Sequence, residues 1–65
     1  MREKIVNALE QHFKAHIEKH KVNVEIYLEN AVGVAEHPDV MESIENELAQ
    51  IAEYQDKLDM LKKYF

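Results

Sequence analysis

The chain has 65 residues and no cysteine, so disulfide bonds and thiolate metal sites are excluded. A domain of this size buries only about 60% of the surface of its unfolded chain, so we expect it to need a partner chain for stability. The formal net charge of −5 argues against nucleic-acid binding, which depends on contacts of Lys and Arg with phosphate.

The first element is predicted to be a long helix. One glycine and one proline in the whole chain, with 32% charged residues, are typical of helical proteins. Apolar residues recur every three or four positions, which predicts a helix over about residues 3–30. The stripe consists of Val6, Leu9, Phe13, Ile17, Val24, Tyr27 and Ala31, with Ile5 and Leu28 at its edges.

Residues 21–28 also allow another interpretation. Apolar and polar side chains alternate there, as in a half-buried strand. We favour the helix, because the chain has no second alternating segment with which a strand could pair. The alternative is a strand that pairs with another molecule. The helix places Val22 and Ile26 on the side away from the main stripe, where they could form a second contact surface.

The tripeptide His37-Pro38-Asp39 is predicted to start the second helix. Proline suits the first helical turn, with His37 as the N-cap and Asp39 at the positive helix end. Asp39 with Glu42 could instead form a capping box. Upstream, Gly33 between Val32 and Val34 suits the end of the first helix.

The same tripeptide occurs in J-domain co-chaperones, which stimulate a partner chaperone ATPase. In that family it follows a basic helix. Here acids surround it, at Glu29, Glu36, Glu42 and Glu45. Three matching residues are weak evidence, so the helix-start interpretation is preferred to co-chaperone activity.

A second helix is predicted over about residues 38–64, from apolar spacing by threes and fours. Its stripe consists of Val40, Ile44, Leu48, Ile51, Leu58 and Phe65, flanked by Met41, Tyr54 and Leu61. The short connection forces the helices to be antiparallel, so residues 1–65 form one all-α domain, a two-helix hairpin. A single hairpin leaves apolar surface exposed, which predicts a homodimer closing into a four-helix bundle, with higher oligomers as an alternative. The predicted interface consists of Phe13, His20, Val22, Val24, Ile26, Ile44, Leu48, Ile51 and Leu58.

Three histidines recur at every fourth residue of the first helix, at His12, His16 and His20. This spacing stacks imidazoles on one face and could present them to a transition metal, with Glu53 as a further ligand from the second helix. The preferred interpretation is that they are polar members of the seam, bonded to Tyr54, Gln55 or a partner chain. A pH-sensitive interface is a third possibility, in which protonated histidines repel and the oligomer loosens below about pH 6.

No nucleophile, phosphate loop or carboxylate pair can be assembled, so neither an enzyme nor a cofactor is expected. No apolar run is long enough to span a membrane, and the first residues do not resemble a signal peptide. We expect a cytoplasmic protein without membrane contact that binds a second copy of itself.

Residues 32–45, VGVAEHPDVMESIE, and the ending KLDMLKKYF over residues 57–65 resemble small proteins of tailed phages that infect marine cyanobacteria. The resemblance covers the whole chain. It implies a host cytoplasm as the setting, and a role as an adaptor or host-factor modulator that binds a host or phage protein. It implies no catalytic or binding residue.

Overall fold

A computed structural model describes residues 1–30 and 39–65. The described residues form two helices, α1 (Arg2–Asn30, 29 residues) and α2 (Asp39–Tyr64, 26 residues), and contain no strand. The all-α hairpin predicted from the apolar spacing is therefore confirmed, with helix bounds within one residue of those expected. No helix in these two ranges is long and apolar enough to cross a membrane.

Residues 21–28 lie inside α1, so the strand alternative is wrong. The reason is that the helix continues the apolar spacing of the preceding turns, with Val24 and Tyr27 half-buried. Val22 and Ile26 are 46% and 51% exposed, as expected for the side of α1 that faces away from α2.

The two ends of α2 carry charges that suit the helix dipole. The first turn of α2 contains Asp39 and Glu42, and its last turn contains Lys62 and Lys63. Asp39 thus lies at the predicted start of the second helix. The other residues assigned to the turn and the helix start, Val32, Gly33, Val34, His37 and Pro38, lie outside the described residues.

The two helices are antiparallel and meet along a seam of regularly spaced side chains. At one end, Arg2 Nη2 donates a hydrogen bond to the backbone oxygen of Phe65 at 2.9 Å. Seam residues follow steps of three and four, which is the spacing of a two-stranded coiled coil. The half-buried or buried members are Val6, Glu10, Phe13, Ile17, His20, Val24 and Tyr27 on α1, and Val40, Ile44, Glu47, Ile51, Tyr54, Leu58 and Leu61 on α2.

The hairpin is long and thin, with extents of 51 × 15 × 11 Å. Its smallest dimension is about one helix diameter, so the fold is a single layer. Among the described residues, Leu58 is the only apolar side chain in the buried class, and His20 is the only polar one. The seam therefore holds the helices together with little enclosed core.

Candidate functional site: a histidine and tyrosine cluster in the seam

A polar triad occupies the middle of the seam. The His20 Nδ1 and Glu47 Oε2 atoms are 2.5 Å apart, and Asn23 Nδ2 donates to Glu47 Oε1 at 3.2 Å. The hydrogen bond from His20, followed by that from Asn23, lowers the pKa of Glu47 against the opposing effect of burial. The Glu47 carboxylate thus stays charged and links α2 to two residues of α1.

Tyr54 of α2 stacks against the histidines of α1. Its ring lies 4.3 Å from that of His16 at an interplanar angle of 13°, and 6.1 Å from that of His20 at 12°. His12 meets the His16 ring edge-on at 4.5 Å, and the Lys57 ammonium lies 5.0 Å from the centre of the Tyr54 ring. The three histidines therefore line one side of a single aromatic cluster, which adds packing energy to the seam.

His16 has one ring nitrogen, Nδ1, that is buried and makes no hydrogen bond within the described part of the chain. Burial is the main cause that lowers the pKa of His16 below 6.5, and the neighbouring bases His12, Lys19, His20 and Lys57 act in the same direction. The ring is thus kept neutral and works as a packing surface for Tyr54.

The predicted metal ligands come together only in part. The His12, His16 and His20 rings are adjacent, but they meet face-to-face or edge-on, and the Nδ1 of His20 is occupied by Glu47. The Glu53 carboxylate pairs with Lys57 at 3.7 Å. Residues 1–30 and 39–65 contain no group of three or more His, Cys, Asp or Glu side chains that could hold a metal ion.

A second polar cluster lies towards the open end of the hairpin. Glu10 pairs with Lys14 at 3.0 Å on its own helix and with Lys62 of α2 at 3.6 Å. The hydrogen bond from Lys14 is the largest cause of the lowered pKa of Glu10. This cluster places Glu10 and Lys62 on the same side of the hairpin, whereas the His16 and Tyr54 contact marks the other side.

Two surface depressions accompany these clusters, and both are open to solvent. The first, of about 200 Å³, is lined by Arg2, Glu3, Val6, Asn7, Glu10 and Phe65. The second, of about 180 Å³, is lined by His12, Ala15, His16 and Lys19. Neither is lined by a serine, threonine or cysteine.

The residues predicted for the dimer interface divide into three groups. Within the single hairpin, His20 and Leu58 are buried. The side chains of Phe13, Val24, Ile44 and Ile51 are half-buried. The remaining three, Val22, Ile26 and Leu48, are 46–52% exposed. Six of the nine predicted residues are thus buried or half-buried inside the hairpin, and three stay exposed.

The sequence analysis did not predict Glu47 as a seam residue, because a run of acids such as that of the second helix is typical of a solvated face. Glu47 is three residues after Ile44 and four before Ile51, so its place in the heptad spacing could have indicated a seam carboxylate opposite His20. Tyr54, which was predicted as a partner of the seam histidines, contacts His16. Gln55, another expected partner, donates to Asp59 at 3.0 Å on the exposed side.

Comparison with protein-family models, with curated proteins and with solved structures finds no significant match. The resemblance to small phage proteins stays a prediction.

Proposed function

We propose that the chain is a non-enzymatic helical interaction protein that works as a homodimer, in which two hairpins close into a four-helix bundle. The observation that carries this proposal is the excess of exposed surface. The accessible area is 5204 Å², for a chain of 7.7 kDa. A compact monomer of that mass exposes about 4,300 Å², so the hairpin exposes about 900 Å² too much.

The size of this excess matches a protein interface. Each partner in a stable complex of standard size buries about 800 Å². The radius of gyration supports the same conclusion, because it is 15.2 Å, while a compact domain of this length has about 11 Å. A second layer of helices would supply the missing burial.

The composition of the seam suits an assembly role. A polar pair such as His20 and Glu47 inside an apolar seam typically fixes register, since any slip would leave the carboxylate without its donors. We propose the cytoplasm as the location of the dimer, because a chain without cysteine forms no disulfide bond and needs no oxidising compartment. The adaptor role implied by the phage resemblance is part of the same proposal.

Concentration-dependent unfolding tests this proposal. Thermal melts followed by helical circular dichroism should give a midpoint that rises with protein concentration, because dimerisation stabilises only the folded chain. A midpoint that stays constant over a hundredfold range of concentration, with full helicity, would overturn the dimer.

A further inference from the structure

The hairpin has two open faces, one on each side of the plane that contains the two helices. We call the one that carries the Glu10 and Lys62 pair the Lys62 face, and the one that carries the stacked His16 and Tyr54 rings the Tyr54 face. Residues seven positions apart lie on the same side of a helix. Ile17 therefore follows Glu10 on the Lys62 face of α1.

The half of the Lys62 face nearest the connection between the helices is apolar. It is formed by Val24, Leu28, Met41, Ile44, Leu48 and Ile51. Of these, Leu28, Met41 and Leu48 are 58%, 78% and 52% exposed. Such a continuous apolar surface on a small chain indicates a protein contact.

The occupant that fits this face is a second copy of the chain. A twofold axis parallel to the helices would lay α1 of one copy antiparallel against α2 of the other. Such an axis does not shift the chains along the helices. Each residue of α1 would therefore lie opposite the same residues of α2 as inside the hairpin, where His16 meets Tyr54 and Asn23 meets Glu47.

Charges along the outer borders of the face are complementary in this arrangement. The α1 border carries Glu3, Lys14, Lys21 and Glu25, and the α2 border carries Glu45, Asp56 and Lys63. At the same levels as in the hairpin, Glu3 meets Lys63 of the second copy, Lys14 meets Asp56, and Lys21 meets Glu45. These three pairs combine opposite charges, and each forms twice because of the symmetry. Glu25, one turn after Lys21, also lies opposite Glu45 in this register, so Lys21 lies between two carboxylates.

Glu10 and Asp59 of the second copy would come to the same level. Lys14 and Lys62 already lie 3.0 and 3.6 Å from the Glu10 carboxylate, so these two bases offset the like charges. The equivalent packing of the Tyr54 face is less favourable. Its middle is formed by polar groups, His16, His20, Asn23 and Glu47, and not by a continuous apolar surface.

We propose that the Lys62 face is the dimer interface, with α1 packed antiparallel on α2 of the second copy and Lys21 paired with Glu45 across the border. This inference rests on the proposed function, because it names the surface that the dimer uses. Val22, on the opposite side of α1, stays outside this interface.

Charge reversal tests the assignment. Lys21→Glu and Glu45→Lys, each alone, should raise the dimer dissociation constant about tenfold, because each puts like charges together at two symmetric places. The double variant Lys21→Glu/Glu45→Lys restores the opposite charges and should return the constant to within about twofold of wild type. Lys19→Glu is the matched control, with the same change in net charge on the Tyr54 side of α1, and should change the constant much less.

Dissociation constants come from sedimentation equilibrium at fixed low salt, and helical circular dichroism confirms that each variant is folded. A wild-type dimer in which Lys21→Glu and Lys19→Glu have equal effects, or in which the double variant is not rescued, overturns the Lys62 face and leaves the homodimer standing. A folded wild-type monomer overturns both.

Discussion

Truncation of Leu58 is the sharpest test of how the seam holds the helices together. Leu58 is 6% exposed and is the most buried apolar side chain in the described part of α2. The variant Leu58→Ala removes three carbon atoms from it. Because one buried methylene contributes about 0.8 kcal/mol, the loss of transfer energy alone comes to about 2.4 kcal/mol per chain.

The cavity left by the removed atoms adds a further loss of stability, which becomes smaller if the helices move together and fill it. Two helices in a single layer can move together more easily than the walls of a large core, so we expect a total of about 2–3 kcal/mol, near the lower end for buried leucines. For a chain of this size, that corresponds to a melting midpoint lowered by about 10 °C or more.

Met60→Ala is a suitable control, since it also removes three heavy atoms, two residues away on α2. Met60 is 38% exposed and points away from the seam. Its truncation should cost about 1 kcal/mol or less. Chemical denaturation of both variants at one protein concentration measures the difference. Equal losses for the two variants would refute the seam as the source of stability.

Three further predictions follow from the cluster around Tyr54. Tyr54→Ala should destabilise the chain by about 2–4 kcal/mol, because it removes the ring that stacks on His16 and His20. Tyr54→Phe keeps the ring and should stay within about 1 kcal/mol of wild type. Denaturant titration measures both changes. Burial lowers the pKa of His16 below 6.5, so the unfolded chain binds a proton at this site more tightly than the folded chain does. The free energy of unfolding should therefore be highest above pH 6.5 and decline as the pH falls below it. Thermal melts of His16→Asn should show a weaker decline, and an unchanged decline would contradict this assignment. Calorimetry with Zn²⁺ should detect no binding tighter than micromolar, and tight binding that His16→Ala abolishes would instead support the metal-site alternative.

The helices themselves could be predicted from the sequence, because apolar spacing directly reports which side of a helix is buried. The segment from Lys21 to Leu28 is the instructive case. Its alternation matches a strand, yet Val24 and Tyr27 continue the seam of α1, and burial along a continuous helix outweighs the local pattern.

The details of the cluster could not be predicted in the same way. Spacing places His16 and Tyr54 at neighbouring levels, but it does not specify whether two rings stack or share a hydrogen bond, which depends on side-chain rotamers. Glu47 was overlooked because a run of acids indicates a solvated face. Its position between Ile44 and Ile51 makes it the acceptor for His20 and Asn23 instead.

Molar mass in solution tests the central claim most directly. Sedimentation equilibrium of the wild-type chain at micromolar concentrations and neutral pH should give twice the chain mass of 7.7 kDa. A fully helical species with the mass of one chain, over the whole range up to several hundred micromolar, would contradict the account.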